Sequence, residues 1–280
     1  MIVKDINNFY KLLDIKPMYE INEKTFAKDV INLISEVYPI DESTKMYNKV
    51  FDSIRAQINI YNKLTNYSTI DVTDENREEI DKSIRATEEI IHENYQLSTV
   101  FGCSLEYPRY VGIANFFDDK KEYLGSTVAD LGCGNGFLTC YIALQNPNIK
   151  IVGYDISCNA IKIANKLKNK LNLTNVEFVN DDMFNIKEKF DTVINICAFE
   201  GNRGEYQNLL HKILKDNGTS IYFDLDIQMP EEICSYLAPD DEIKEHAVVI
   251  INNQNYQGYN GGITYGTVCK VGKLKRNLYH

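Results

Sequence analysis

Residues 127–139, with the sequence TVADLGCGNGFLT, constrain the fold of this chain more than any other stretch. The first five residues form a short, mostly apolar run, which is typical of a strand buried on both faces of a parallel sheet. Three glycines, Gly132, Gly134 and Gly136, follow this run and precede a helical pattern. Glycines at this spacing allow a tight turn and let backbone N–H groups approach a bound ligand closely. The stretch therefore predicts a strand–turn–helix unit that binds a ligand.

Asp130 lies two residues before the first glycine and limits the ligand that such a turn can bind. A dinucleotide would place its pyrophosphate at the start of the helix, where a carboxylate would repel it. A carboxylate suits instead a ligand with a cationic group, such as the ammonium of an amino acid. The run DLGCGNG at 130–136 resembles the first motif of the class I S-adenosylmethionine-dependent methyltransferases. The resemblance implies S-adenosyl-L-methionine as cofactor and S-adenosylhomocysteine as product.

From residue 127 onward, predicted strands and helices alternate along the chain. Strands are predicted at 127–131, 150–155, 176–180, 191–196 and 219–223, with helices at about 136–145, 157–171 and 205–214. This alternation is typical of a parallel sheet with helices on both faces. Residues 247–251 and 263–268 flank a turn-rich loop and predict an antiparallel pair. With the resemblance, the expected fold class is α/β, a Rossmann-like doubly wound sheet of seven strands whose last hairpin is antiparallel.

The N-terminal part of the chain follows a helical pattern without this alternation. Apolar residues recur at helical spacing in four segments, at about 2–16, 22–37, 41–61 and 73–95. Four amphipathic helices must bury their apolar faces, so they could roof the site, form a dimer interface, or do both. We therefore expect a helical N-terminal cap or dimerisation region at 1–105 and an S-adenosylmethionine-binding methyltransferase core at 106–280, with a homodimer as one assembly.

Polar residues after the strands are the candidate cofactor-binding residues, because ligands of open α/β sheets bind beyond the carboxyl ends of the strands. Asp155 ends the second predicted strand, where a carboxylate can accept hydrogen bonds from both hydroxyls of a ribose. The resemblance implies an adenine-binding aspartate after the third strand, where Asp182 fits better and Asp181 is the alternative. The predicted cofactor-binding residues are Asp130, Gly132, Cys133, Gly134, Gly136, Asp155, Ile156, Asp181, Asp182, Met183 and Asn195.

The segment after the fourth predicted strand is a candidate acceptor-binding region. Many methyltransferases that modify amino groups of nucleic acids or proteins carry two prolines after an Asn or Asp here, but Asn195 is followed by Ile196 and Cys197. Glu200 falls where many small-molecule members of the family carry a histidine, and its carboxylate could act as a general base. A surface or helix-capping role for Glu200 is the alternative.

Further candidates for acceptor binding flank the predicted core. They are Tyr107, Arg109, Tyr110 and Arg203. The first three lie in an aromatic-rich stretch just before the first strand, where segments of the resembling family often touch cofactor or substrate. The same aromatic residues could instead attach the helical region to the core, and both interpretations remain open.

Composition and charge exclude several kinds of function. The net charge is −10 and neither half of the chain has a basic excess, which disfavours a nucleic-acid partner. No segment approaches the roughly 20 apolar residues of a membrane span, and the first residues lack the apolar run of a signal peptide. We therefore expect a cytoplasmic protein with no membrane partner. The seven cysteines form no C-x-x-C pair and no cluster with metal-ligand spacing is visible, so no metal is expected.

The sequence thus predicts a methyltransferase that uses S-adenosylmethionine to methylate an oxygen or nitrogen nucleophile of a small molecule, either a metabolite or a natural product. The helical cap, the acidic charge and the missing proline motif together favour this acceptor class. One alternative is a methyltransferase for a protein, a peptide or tRNA, which would show a long open groove. Another is a catalytically silent binding partner that keeps the fold. A nucleotide-dependent dehydrogenase is disfavoured because Asp130 would repel a pyrophosphate.

Overall fold

A computed structural model of the protein describes residues 2–19, 22, 24–65, 74–198, 203–224, 242–250 and 266–273. Within these residues, N-terminal helices precede one mixed sheet that has helices on both faces. The candidate residue Glu200 lies outside the described residues, so its interpretation stays a prediction.

The N-terminal part is helical, as its apolar periodicity predicts. Its helices are α1 (Ile6–Leu13), α2 (Phe26–Ser35), α3 (Ile40–Thr65), α4 (Asp74–Ile91), α5 (Tyr95–Thr99) and α6 (Tyr107–Asp119), with a π-helical turn at Val100–Ser104. The fourth predicted helix ends earlier than expected because Asn94 begins a new one. The Asn94 side chain caps α5 by accepting a hydrogen bond from the N–H of Leu97 (3.0 Å). Helix α6 covers the aromatic stretch for which the sequence predicted no helix.

Strands and helices alternate from residue 127, as predicted. The elements are β1 (Thr127–Leu131), α7 (Phe137–Gln145), β2 (Lys150–Asp155), α8 (Cys158–Lys170), β3 (Val176–Asn180), β4 (Phe190–Ile196), α9 (Arg203–Ile213) and β5 (Leu214–Asp224). These five strands are parallel and lie in the order β3-β2-β1-β4-β5, which confirms the doubly wound α/β core. β5 is longer than predicted, and its pairing with β4 has an irregular register between Phe190 and Thr192.

Two more strands extend the sheet beyond β5. They are β6 (Glu242–Ile250) and β7 (Gly266–Lys273). β7 pairs antiparallel with β5, and β6 pairs antiparallel with β7. The sheet order is therefore β3-β2-β1-β4-β5-β7-β6.

The two faces of the sheet are covered unequally. One face packs against α1, α6, α7 and α8 through a large aromatic and aliphatic core that includes Phe9, Phe137 and Tyr141. The other face packs against α9, whose Tyr206 and Leu210 are buried. The connection from β3 to β4 contains only a 3-10 turn at Met183–Asn185. A short connection here leaves the carboxyl ends of β2 and β3 accessible to other parts of the chain.

Asp191 joins β1 and β4 at the amino-terminal edge of the sheet. Its carboxylate accepts hydrogen bonds from the hydroxyl of Ser126 (2.7 Å), from the N–H and hydroxyl of Thr127 (2.9 and 2.7 Å), and from Nζ of Lys215 (3.1 Å). Burial alone would raise the pKa of this carboxyl, but the hydrogen bonds from Thr127, Ser126 and Lys215 hold its pKa well below the usual value.

We expect Asp191→Asn to lower the free energy of unfolding by about 1–3 kcal/mol at pH 7. Because the pKa of Asp191 is lower in the folded than in the unfolded state, its stabilisation is complete above the unfolded value of about 4. The stabilisation is lost as the pH falls toward the folded-state pKa. Urea unfolding at pH 7 and pH 3 should therefore show a smaller difference between variant and parent at pH 3. Asp119→Asn, at an exposed position, is the control, and an equal difference at both pH values would contradict the assignment.

Candidate functional site

A cavity of about 370 Å³ lies at the carboxyl edge of the sheet, between the strand ends and two N-terminal helices. Most of the predicted cofactor-binding residues line it: Gly132, Gly134, Asp155, Ile156, Asp181, Asp182 and Met183. Its opposite wall consists of Gln57 from α3 and of Arg77, Asp81, Ile84, Arg85 and Glu88 from α4. We call these six residues the roof. The cavity lies where ligands of open α/β sheets bind, so it is the candidate functional site.

The glycine turn forms one side of the cavity. Gly134 and Gly136 have φ angles of 54° and 72°, in the left-handed region that L-residues rarely adopt. A Cβ atom at Gly134 would meet no atom within 4 Å, whereas one at Gly136 would lie 2.7 Å from Cβ of Ala164 and from the ring of Phe178. Gly134 therefore leaves open space beside the cavity. Gly136 allows the start of α7 to pack closely against α8 and β3.

Asp155 is the last residue of β2 and faces the glycine turn. Its Oδ2 accepts a hydrogen bond from the N–H of Gly134, and its Oδ1 accepts one from the N–H of Ser157, both at 2.8 Å. Burial raises the pKa of Asp155, and the nearby Glu88 carboxylate raises it further, while the bonds from Ser157 and Gly134 act in the opposite direction. These bonds fix a carboxylate on the cavity wall in one orientation, as the binding of a vicinal diol requires.

Asp130 is the penultimate residue of β1, and its side chain is buried. Its Oδ2 accepts a hydrogen bond from the hydroxyl of Thr139 (2.6 Å), but its Oδ1 has no partner among the residues that the structure describes. Burial raises the pKa of Asp130 to about 7, with the Thr139 hydroxyl lowering it and the Asp155 carboxylate raising it. A buried carboxylate oxygen without a partner is unfavourable, and a cationic ligand group would compensate for it.

Asp181 and Asp182 follow β3, and the structure separates their roles. Oδ1 of Asp181 accepts hydrogen bonds from the side chain of Asn185 and from the N–H of Asp182, both at 2.8 Å. These two bonds lower the pKa of Asp181. Oδ1 of Asp182 caps the following 3-10 turn by accepting from the N–H of Phe184 (3.0 Å). Both carboxylates line the cavity, so the choice between them for adenine binding stays a prediction.

The segment after β4 also reaches the cavity. Cys197 lines it and has a φ of 54°, which is unusual for a residue other than glycine and marks local backbone strain. The side chain of Asn195 in β4 is buried, and it accepts a hydrogen bond from the N–H of Ala198 (3.1 Å). Arg203 is the first residue of α9. Strain next to a ligand cavity indicates a segment whose shape is set by the site.

The structure places the aromatic candidates around α6, and none of them lines the described part of the cavity. Tyr107 donates a hydrogen bond to the side chain of Asn7 and packs edge-to-face on Tyr10 (5.2 Å between ring centroids). Tyr110 stacks on Phe137, the first residue of α7, at 5.6 Å. Arg109 pairs with Glu106 and lies over the ring of Tyr110. These contacts attach the N-terminal helices to the core, and an acceptor-binding role stays a prediction.

Sequence reasoning gave a roof over the site as one of two possible roles of the N-terminal helices. It did not predict which helix lies over the strand ends or which of its residues line the cavity. The signal that could have revealed the roof is the spacing of Arg77, Asp81, Arg85 and Glu88, which lie three or four residues apart and therefore share one side of the helix. A charged stripe beside an apolar face is equally typical of a solvated surface, so only the packing of α4 identified its position.

Neither a metal site nor a membrane span is found in the part of the chain that the structure describes. No group of three or more His, Cys, Asp or Glu residues there is arranged to hold a metal ion. No helix among the same residues is long and apolar enough to cross a membrane.

Comparison with known proteins identifies the part of the chain that supplies the glycine turn and the strand ends of the cavity. Residues 124–261 match a family model described as a methyltransferase domain. The release factor glutamine methyltransferase of Buchnera aphidicola subsp. Acyrthosiphon pisum is 29% identical over 143 residues, which cover 51% of this chain and 46% of that protein. The ribosomal RNA small subunit methyltransferase C of Pseudoalteromonas translucida is 36% identical over 89 residues, 32% of this chain and 26% of that protein. The (S)-coclaurine N-methyltransferase of Thalictrum flavum subsp. glaucum is 33% identical over 91 residues, 32% of this chain and 25% of that protein.

The similarity does not extend over whole proteins. The matched segments span less than half the length of each of these relatives. Their names assign them an RNA, a protein and a small-molecule acceptor. The comparisons therefore leave the acceptor class of this chain unresolved.

Proposed function

We propose that this chain, whose residues 124–261 match a methyltransferase domain, is an S-adenosylmethionine-dependent methyltransferase and that it methylates an oxygen or nitrogen nucleophile of a small molecule. The observation that carries the proposal is the roof, because helices α3 and α4 cover the strand ends and leave a cavity of about 370 Å³. The cofactor itself occupies a volume of this order, which is typical of small-molecule sites at roughly 300–1,000 Å³. A folded macromolecule would need open access to the strand ends, which the roof restricts.

The described residues fit the proposed cofactor. The carboxylate of Asp155 would accept hydrogen bonds from the ribose hydroxyls, and the unpartnered Oδ1 of Asp130 would attract the ammonium group. Asp182, or alternatively Asp181, would accept a hydrogen bond from the adenine amino group, and Met183 would lie beside the adenine ring. Bound S-adenosylmethionine supplies a methyl group already activated by its sulfonium. The open space at Gly134 leaves room for this ligand beside the turn.

The charges around the cavity support a small acceptor over a nucleic acid. Two arginines, Arg77 and Arg85, face five carboxylates, namely Asp81, Glu88, Asp155, Asp181 and Asp182. An acidic cavity attracts the cationic cofactor but repels a phosphate backbone. An RNA methyltransferase would need the opposite charge at the entrance to its site.

The chain's own contribution to methyl transfer would be alignment and exclusion of water. Ile84 and the aliphatic parts of the other roof residues cover the cavity, which shields the reacting groups from solvent. The strained segment at Cys197 forms the wall next to α9. Glu200, which follows this segment, is the proposed base for an acceptor whose nucleophile must lose a proton. We propose that the acceptor contacts four further residues, namely Tyr107, Arg109, Tyr110 and Arg203.

A protein or RNA acceptor is the main alternative, since two of the relatives named above act on such substrates. The absence of prolines after Asn195 argues against methylation of an amino group in a protein or nucleic acid. A catalytically silent member of the fold is disfavoured because Gly132, Gly134 and Asp155 line the cavity and Asp130 of β1 keeps a buried carboxylate oxygen without a partner among the described residues. Cytoplasmic location and a homodimer stay predictions.

The acceptor class can be tested with S-adenosylmethionine carrying a radiolabelled methyl group. The purified full chain is incubated with three fractions of a cell extract, containing small molecules, proteins and RNA, and label transfer into each is counted. We expect label in the small-molecule fraction only, with no transfer by Asp155→Asn. Label in protein or RNA would support the alternative acceptors. Binding of S-adenosylhomocysteine without transfer to any fraction would support the silent partner.

Binding of the cofactor should release a proton near pH 7 because of Asp130. Its raised pKa, about 7, leaves this carboxyl about half protonated, and an ammonium group beside Oδ1 favours the ionised form. Calorimetric titration with S-adenosylhomocysteine in buffers of different ionisation enthalpy should show release of about half a proton at pH 7. Asp130→Asn should abolish the release. An equal release by variant and parent would contradict the proposed placement of the ammonium group.

A further inference from the structure

A buried chain of hydrogen bonds connects the roof to the glycine turn. Nε2 of His92 lies 3.2 Å from the Glu88 carboxylate, and Nδ1 of the same ring lies 3.0 Å from the hydroxyl of Ser98. The side-chain nitrogen of Asn135 lies 3.1 Å from that hydroxyl and 3.1 Å from the carbonyl oxygen of Ser98. Asn135 stands between Gly134 and Gly136. The series of hydrogen bonds therefore begins at Glu88 on the cavity wall and ends at Asn135, inside the turn that forms the opposite wall.

The polar partners fix the direction of the bonds at the two ends of this series. Oδ1 of Asn135 accepts a hydrogen bond from the N–H of Phe137 (3.1 Å), so the amide nitrogen of Asn135 points at Ser98 and donates. At the other end, an ionised Glu88 accepts a hydrogen bond from Nε2–H of His92. Such a chain holds its members in one orientation.

Burial keeps the side chains in the middle of this hydrogen-bond series rigid. It also makes the loss of any one of their hydrogen bonds costly. His92 and Asn135 are each 4% exposed, and Ser98 is fully buried, so water cannot replace the lost partners. A Cβ at Gly102 would lie 2.7 Å from the Asn135 amide nitrogen, which shows how closely the surrounding backbone encloses this side chain. Glu88 at the cavity end is partly exposed. The hydrogen-bond series is thus anchored in the core, and its outer end presents the Glu88 carboxylate to the cavity.

We propose that His92 is a positioning residue of the donor site, which with Ser98 links Glu88 of the roof to Asn135 of the glycine turn and holds both in the donor-binding arrangement. Removal of His92 releases the Glu88 carboxylate from its fixed position and leaves Asn135 with a weaker anchor. Both changes disturb the place where Gly134 and Asp155 meet the donor. The inference rests on the cofactor site and not on the acceptor class proposed above.

The first test measures binding of S-adenosylhomocysteine to the full chain by calorimetry. We expect His92→Ala to raise the dissociation constant about tenfold, the effect of one or two lost hydrogen bonds. His92→Gln, whose amide supplies one donor and one acceptor, should recover binding to within about threefold of the parent. Ser53→Ala is the matched control, because it removes a hydrogen bond between α3 and Thr87 of α4 (3.0 Å) that does not reach the turn. Unchanged binding by His92→Ala, or equal weakening by Ser53→Ala, would overturn the proposal.

The second test asks whether the two ends of the chain are coupled. Glu88→Ala and Ser98→Ala alter residues on opposite sides of the imidazole, and neither variant removes a large buried side chain. If His92 links them, their effects on the dissociation constant are not additive, and the double variant binds several-fold more tightly than the product of the single effects predicts. Additive effects would overturn the proposal, even if His92→Ala itself failed to fold. Because the probe is the reaction product of the cofactor, these results do not depend on finding the acceptor.

Discussion

Asp155→Asn should raise the dissociation constant for S-adenosylhomocysteine by about 100-fold. The carboxylate would accept two charge-assisted hydrogen bonds from the ribose, each worth roughly 1.5–3 kcal/mol, and an amide can accept at only one of its two atoms. Oδ2 and Oδ1 of Asp155 already accept hydrogen bonds from the N–H groups of Gly134 and Ser157. The carboxylate is therefore oriented before the ligand binds. Pre-orientation is the reason to expect a large effect from the change of one atom.

A neighbouring carboxylate provides the control for this prediction. Glu177 of β3 lies on the strand next to β2, pairs with Lys150, and does not line the cavity. Glu177→Gln makes the same chemical change and should leave binding within about twofold. Calorimetric titration of both variants measures the two constants, and thermal melts confirm that both are folded. A fall of less than about fivefold in affinity for Asp155→Asn would remove this residue from the proposed ribose site.

Gly136→Ala should be more destabilising than Gly134→Ala, lowering the free energy of unfolding by about 2–5 kcal/mol. Left-handed backbone costs an L-residue roughly 1–2 kcal/mol, and forcing a methyl into a filled site adds about 1–3 kcal/mol. The new Cβ would lie 2.7 Å from Cβ of Ala164 and from the Phe178 ring. Since α8 and β3 meet at this point, neither neighbour can move without disturbing the core.

Gly134→Ala is the matched control, because it places the same methyl two residues away on backbone of the same hand. Its Cβ would meet no atom within 4 Å, so only the conformational cost of about 1–2 kcal/mol applies. The same methyl would occupy the space beside the cavity, so this variant should bind S-adenosylhomocysteine at least about tenfold more weakly. Urea unfolding and calorimetry measure the two effects separately. Equal stability losses for the two variants would show that the packing at Gly136 is not the cause.

The predictions that rest on local patterns agree with the structure. The parallel core follows from an alternation of strands and helices, which is a property of short segments and their neighbours in sequence. The meeting of Gly134, Asp155 and Asp182 at one cavity follows from the same pattern, because parallel strands place their carboxyl ends on one edge of the sheet. The helix predicted from about residue 157 is α8, and the Ser157 side chain caps it by accepting a hydrogen bond from the N–H of Ala160.

Boundaries and side-chain contacts were harder to predict. α5 begins at Tyr95 because Asn94 caps it, although the apolar spacing alone extended the preceding helix through this residue. α6 was missed because its sequence, with Pro108 and several aromatic residues, has only a weak helical periodicity. Tyr107 and Tyr110 were possible site residues by composition, yet in the structure their rings pack on Tyr10 and Phe137.

The sequence by itself determined the sheet, the glycine turn and the kind of cofactor, since each depends on residues that lie close together along the chain. Only the tertiary structure decided what covers the cofactor site. Arg77 of α4 pairs with Glu205 of α9, and His92 reaches Asn135 through Ser98, across separations that no local pattern encodes. The helical stripe showed that α4 must bury one face, but it was compatible with many partners. In the tertiary structure α4 packs over the strand ends, and its residues therefore form most of the roof of the site.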